Sequence, residues 1–197
     1  MSENLRERTR RAVQREIGDA ALTLFAERGY DATTIDDIAA AVGMSQRSVF
    51  RYFATKEEIV VGKLELAVDD MLDVLRRRPP GEPVWTSLRR VFDVVDHYGD
   101  QQELSALIHR MVFDTPALSA AYLHRLQLMQ EAVVAVLVER AAKAGNPYPA
   151  DDPTPRALTA SAFGCLVAAQ HSWLASSTQG TFANALDRAM ATLIPRA

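Results

Sequence analysis

Thr34–Glu58, TIDDIAAAVGMSQRSVFRYFATKEE, is the most densely punctuated stretch of this chain. Thr34 stands three residues before Asp37, the spacing of a capping box that starts a helix. The short helix that follows buries Ile35, Ile38 and Ala39, and Gly43 closes it. A turn later Ser45 caps a third helix, Gln46 to about Phe53, and Thr55 with Glu58 repeats the capping signature for a fourth. A helix of about eight residues is marginal alone, so the second and third must lean on the first and fourth. Two short helices joined by a tight glycine turn, the second without acidic residues, predict a helix-turn-helix. Ala39 is small enough for crossing helices to touch there. Val49 is the wedge that the third helix drives into that crossing.

Upstream, Ile17, Ala21, Leu24 and Phe25 share a face of a first helix, from about Thr9 to Arg28, ended by Gly29. Downstream, the fourth helix carries the stripe Val60, Leu64, Ala67, Met71, Leu75. Pro79, Pro80 and Pro83 around Gly81 break the chain over Arg78–Pro83. Residues 84–194 read as about five more helices. Val84 to Tyr98 places Leu88, Val91 (or Phe92) and Val95 on one face, and Glu103 to Phe113 follows. A long helix from Pro116 to Ala144, stopped by Gly145, has Leu126, Met129, Val133, Val136 (or Leu137) and Arg140 at its spacing. Pro147, Pro149, Pro153 and Pro155 mark a loop. Arg156 to Ser177 and Thr181 to Ile194 close the chain, the last with the stripe Leu186, Met190, Leu193. No run alternates strictly enough for a strand. The expected fold is all-α: residues 1–55 form an arm and helix-turn-helix domain, and 56–197 a helical bundle entered through a connecting helix, 56–78.

The 197 residues hold 22 Lys and Arg against 25 Asp and Glu, a net charge of −3. Phosphate binding needs basic surface, so the sum argues against a nucleic-acid partner. The distribution reverses that. Residues 1–15 carry five arginines against two glutamates, and Met44 to Lys56 carries Arg47, Arg51 and Lys56 with no acid. The acidic excess lies after residue 63. Composition is otherwise that of an ordinary globular chain, 48% hydrophobic and 24% charged, which excludes wholesale disorder. One cysteine, Cys165, rules out an intrachain disulfide and any multi-cysteine metal site; it reads as an inert core residue. The longest apolar run, Ala162 to Ala169, is far short of a membrane span, and the N-terminus is charged where a signal peptide is apolar. A cytoplasmic setting without membrane attachment is expected.

On the third helix Arg47, Phe50 and Arg51 lie on one side, Val49 and Phe53 on the other. Gln46 and Arg47 stand at the end that reaches base edges in the major groove. Arginine bridges two guanine acceptors and glutamine pairs bidentately with adenine. Thr34, Tyr52 and Lys56 suit phosphate. With the small hydroxyls nearby, the candidate DNA-contacting set is Thr34, Ser45, Gln46, Arg47, Ser48, Phe50, Arg51, Tyr52 and Lys56. The competing reading leaves Arg47, Arg51 and Lys56 as solvated surface charge; the coincidence of cap, turn and charge favours double-stranded DNA.

The segments Thr34–Ala39, Val42–Ser45, Val49–Phe53 and Lys56–Glu57 resemble the N-terminal domain of the tetracycline-repressor (TetR) family. Ala20-Ala21, Leu24-Phe25 and Gly29-Tyr30 resemble the family's first helix. The likeness is dense over residues 9 to 65. It implies a homodimer, an operator with two-fold symmetry, and a C-terminal domain that binds a small molecule and releases DNA. It matches Lys56 and Thr34 to the family's phosphate-binding positions. Phe50 stands where members often have tyrosine, so a hydroxyl group facing DNA is missing, and Arg47 replaces a common glycine; both departures bear on the operator sequence. The resemblance also places the dimer interface on the last two helices, where Ala157, Ser161, Gly164 and Ala168 form a small-residue surface suited to close approach.

A ligand site in the C-terminal region draws on Trp85, Tyr98, His109, Phe113, Tyr122, Met129, Gln170 and Trp173, large apolar surfaces with few polar handles. Each alone fits plain core packing as well. Together they suit a small hydrophobic or aromatic effector making one or two hydrogen bonds. His97, His109, His124 and His171 show no His-x-x-x-His spacing, and there is no nucleophile motif or phosphate-cradling glycine loop. No metal, cofactor or catalysis is expected. The expectation is a homodimeric DNA-binding regulator, most simply a repressor released by its effector. The alternatives are a regulator whose C-terminal domain only dimerises, and a helical enzyme with a vestigial helix-turn-helix.

Overall fold

A computed structural model describes residues 5–94, 102–176 and 180–193, with side chains except at 63–67 and 102–105. All regular structure among the described residues is α-helical: α1 (Leu5–Arg28), α2 (Ile35–Ala41), α3 (Gln46–Phe50), α4 (Lys56–Arg77), α5 (Val84–Val91), α6 (Gln102–Asp114), α7 (Pro116–Lys143), α8 (Thr154–Ala175) and α9 (Phe182–Ala191). The chain divides into two compact units, one of Met1–Leu66 with Arg110–Arg125, the other of Ala67–His109 with Leu126–Ala197. α4 runs through both.

In the first unit α1 packs on α2 and α2 on α3. Ile17, Ala21, Leu24 and Phe25 are buried along α1 as their spacing requires, and Ile38, Ala39 and Val49 close the crossing. Ile35, expected inside, is only half-buried. α1 starts a turn before the expected Thr9. The Thr9 hydroxyl donates back to the Leu5 carbonyl (2.9 Å) rather than capping the helix. α3 is shorter than expected, Gln46–Phe50. Tyr52 and Phe53 amides both return to the Val49 carbonyl in a turn that buries Phe53 and leads directly to the next cap. At that cap the Glu58 amide donates to Thr55 Oγ1 (3.1 Å), while the Glu58 carboxylate takes the Ala54 amide (2.8 Å).

In the second unit α8 packs on α9 and α5 on α8. Phe92 meets Phe163 edge-on at 5.2 Å, and Leu88, Val91, Leu126, Met129, Val133, Val136 and Leu137 are buried on their predicted faces. α5 breaks at Phe92, whose amide tightens onto the Arg89 carbonyl (3.2 Å); Asp93 and Val94 are helical again, and the rest of the expected helix to Tyr98 lies outside the described residues. Val60, Met71 and Leu75 are buried along α4; Leu64 and Ala67 of that stripe, and Val95, lie outside the described side chains. Arg140 ends the α7 stripe by donating to the carbonyls of Arg78 and Pro79 (3.2 and 3.1 Å), just past the C-terminus of α4, where helix ends leave carbonyls in need of donors. α8 begins earlier than expected, at Thr154. Asp152 accepts the Thr154 amide (2.8 Å), and Pro155 is buried in the first turn, where its missing N–H costs nothing. Thr181 caps α9 rather than starting it, and Leu193 is exposed beyond its end, so the expected stripe stops at Met190. Ser177 and Ile194 lie outside the described residues.

Candidate nucleic-acid interface

The capping box at Thr34 is complete. The Asp37 amide donates to Thr34 Oγ1 (3.2 Å), the Thr34 amide to Asp37 Oδ2 (2.8 Å), and the Thr34 hydroxyl to the same oxygen (2.5 Å). These bonds, with Arg28 at 3.8 Å, hold the Asp37 carboxyl below its usual range. α2 ends at Gly43, whose φ of +65° is a left-handed turn that glycine adopts freely. The Met44 amide then reaches back to the Ala39 carbonyl (2.8 Å), fixing the angle at which α3 departs. Ser45 Oγ accepts the Ser48 amide (3.2 Å) and shares a hydrogen bond with the Ser48 hydroxyl (2.9 Å). Val49 is fully buried against this turn.

Anchoring Val49 dictates what faces out. Gln46, Arg47 and Arg51 are exposed, and Phe50 is 46% exposed, unusual for a phenyl ring on so short a helix. An exposed arginine, glutamine and phenyl group together offer a guanine-bridging donor pair, an adenine-pairing amide and an apolar surface for a thymine methyl.

Around this helix the structure shows pairings that sequence spacing did not reveal. The Lys56 ammonium donates to the carbonyls of Tyr30 (2.8 Å) and Thr33 (3.1 Å) and lies 3.9 Å from the Tyr30 ring centre. The Tyr30 hydroxyl donates to Glu57 (2.6 Å), which lowers the Glu57 pKa; burial and this carboxylate raise that of Tyr30. The loop before α2 is thus tied to the start of α4. Two of the three ammonium donors are used in these bonds. Tyr52 is held through its own carbonyl by Gln14 (3.4 Å) and beneath the Arg10 guanidinium at 5.6 Å.

The C-terminal candidates separate. His109, Gln170 and Trp173 come together: Gln170 Nε2 is 3.1 Å from His109 Nε2, and the His109 and Trp173 rings meet edge-on at 6.3 Å. Trp173 also meets Phe182 at 6.2 Å. Met129 is buried in the same unit, and Trp85 is half-buried there. Phe113 and Tyr122 pair edge-on at 5.9 Å in the first unit. Tyr98 lies outside the described residues. Among the described residues, three buried side-chain polar atoms have no hydrogen-bond partner: Trp85 Nε1, Trp173 Nε1 and Thr159 Oγ1. Thr159 was not among the candidates; it belongs to a buried face of α8 with Phe163, Leu166, Gln170 and Trp173, a spacing that could have disclosed it. No group of three or more His, Cys, Asp or Glu side chains among the described residues could hold a metal, and no described helix is long and apolar enough to cross a membrane.

Residues 17–61 match the model of the bacterial regulatory proteins, tetR family, and residues 82–197 that of the MftR C-terminal domain. The chain is 32% identical over 143 residues to the HTH-type transcriptional regulator TcmR of Streptomyces glaucescens, covering 69% of this chain and 63% of TcmR. It is 40% identical over 62 residues to IcaR of Staphylococcus epidermidis, the HTH-type negative transcriptional regulator of the biofilm operon icaADBC, covering 32% of this chain and 34% of IcaR. The matches therefore span less than two thirds of either relative. Among solved structures, the fatty acid degradation regulator FadR from Bacillus halodurans superposes with a TM-score of 0.65 at 18% identity, over 92% of this chain and 98% of that one. At that identity the likeness is one of fold.

Proposed function

Because this chain belongs to the tetR family of bacterial regulatory proteins, we propose that it is a homodimeric transcriptional repressor that binds a two-fold symmetric operator and leaves it when a small effector binds. Residues 1–55 are the reading domain and 56–197 the sensing and dimerising domain. The observation that carries the DNA reading is the face of α3: a buried Val49 forces Gln46, Arg47, Phe50 and Arg51 outward on one short helix. Gln46 and Arg47 take base edges, Phe50 a thymine methyl, and Thr34, Ser45, Ser48, Tyr52 and Lys56 the flanking backbone. The negative regulation in IcaR's description, at 40% identity over 62 residues, supports repression. Such regulators are not enzymes, and they act where the bacterial chromosome lies, in the cytoplasm.

Selection of random duplexes by the purified protein tests this reading. The selected sites are expected to be two-fold symmetric. Arg47→Ala should relax preference at one base position per half-site, at a cost of about 1–3 kcal/mol. Retention of full preference by Arg47→Ala would remove α3 from the reading role.

The effector reading is supported by the unpartnered Trp85 Nε1, Trp173 Nε1 and Thr159 Oγ1, an uncommon state for buried donors. A hydrophobic or aromatic molecule carrying an acceptor oxygen would satisfy the Trp173 indole, with the His109–Gln170 pair as its polar neighbour. Binding must favour the DNA-incompetent arrangement, and α4, continuous from Lys56 to Arg77, is the element through which it acts. Pools of such molecules should dissociate the wild-type operator complex, while Trp173→Phe keeps DNA binding and loses the response. The dimer reading is supported by Ser161, Gly164 and Ala168, all exposed along α8 rather than spent on the chain's own core.

A further inference from the structure

The matched family region begins at residue 17, yet α1 begins at Leu5. The intervening three turns hold five arginines (Arg6, Arg8, Arg10, Arg11, Arg15) against Glu7 and Glu16. Core packing does not need them, for the buried face of α1 starts at Ile17. A polar helix end of this kind frays unless something holds it. Here it is held against the end of α3. Arg10 lies over the Tyr52 ring at 5.6 Å, and Gln14 donates to the Tyr52 carbonyl at 3.4 Å. Between the two helices opens a pocket of about 420 Å³ lined by Leu5, Arg6, Thr9, Arg10, Arg51 and Tyr52. Three of its six lining side chains are guanidiniums and none is acidic. Guanidinium forks match phosphate oxygens two at a time, and the Tyr52 hydroxyl adds a donor. Leu5, 74% exposed at the pocket edge, offers an apolar surface of the sort a deoxyribose presents in return.

We propose that this pocket is a second DNA-backbone seat, in which Arg6, Arg10 and Arg51 of each protomer take phosphates flanking the bases read by Gln46 and Arg47. The inference rests on α3 being the recognition helix, and it assigns the extension of α1 a function that the family match does not cover. It also shows how a chain of net charge −3 gathers enough local positive charge to hold a polyanion.

The test uses the full-length protein on a duplex selected by the wild type, with affinity measured across about 50–200 mM salt. Arg6→Gln with Arg10→Gln should weaken all sequences alike and lower the slope of log affinity against log salt by about 0.9 for each phosphate no longer neutralised, about 1.8 per protomer. Base preference should be unchanged, and ethylation of phosphates outside the half-site should no longer interfere. Arg6→Lys with Arg10→Lys should keep most of the slope, because the charge remains. If the lysine pair loses as much as the glutamine pair, the extension acts by its shape and the seat is overturned. A glutamine pair with an unchanged slope, on an operator still read through Arg47, overturns the seat and leaves the recognition helix standing. Failure of the wild type to select any duplex overturns both.

Discussion

At Lys56 the ammonium that suits a DNA phosphate is also hydrogen-bonded to the carbonyls of Tyr30 and Thr33. Its removal therefore reads out twice. Lys56→Ala should weaken every DNA sequence alike and lower the salt slope by about 1. It should also destabilise the first unit by about 1.5–3 kcal/mol, the worth of a charged hydrogen bond, measured as a drop in unfolding midpoint. Glu82 makes a second test. Arg78 grips its carboxylate, Ser87 donates to it at 2.7 Å, and with Arg140 nearby its pKa falls to about 2. A carboxyl depressed in the folded state adds stability above its ordinary value near 4.5, and that stability is lost as pH falls toward 2. Acid unfolding of Glu82→Gln should be less steep over that window than the wild type's; equal steepness would show that the cluster contributes nothing. The outward residues Gln46, Arg47 and Arg51 were legible from helical spacing alone. The bonds of Lys56 were not, since nothing local relates it to a tyrosine twenty-six residues earlier.

Among the helices, the caps at Thr34, Ser45 and Thr55 were written locally and form as local rules require. What the caps could not show is how closely helices approach. Gly62 lies buried on α4, and a Cβ there would stand 2.8 Å from Phe53 Cε1, well inside van der Waals distance. The Phe53 ring is itself buried, so it has little room to yield. Gly62→Ala gains about 1 kcal/mol of helix propensity, and overpacking costs about 1–3 kcal/mol. The clash should win, with a net loss seen in chemical denaturation and a displaced α3 seen as weaker operator binding. A more stable Gly62→Ala would mean the ring has somewhere to go.

For the molecule as a whole, the groove along α8 and α9 concerns assembly. It measures about 610 Å³ and runs past Ser161, Gly164, Ala168, Ser172 and Leu193, with open space above Gly164. If a second copy fills it, Gly164→Trp should give a folded monomer by sedimentation. That monomer should lose about 10²–10⁴ in affinity for a full operator while keeping its affinity for a half-site. A dimeric Gly164→Trp would place the interface elsewhere. The all-helical class, the helix-turn-helix and the outward side of α3 follow from the amino-acid order alone, because caps, turns and amphipathic spacing act within a few residues of one another. Which polar groups pair at a distance is settled in three dimensions. Folding joined Lys56 to Tyr30, set Arg10 of α1 over the Tyr52 ring, left two indole nitrogens and Thr159 without partners, and exposed the small face of α8. Those outcomes depend on the close approach of helices far apart in the chain, and no local spacing encodes that distance.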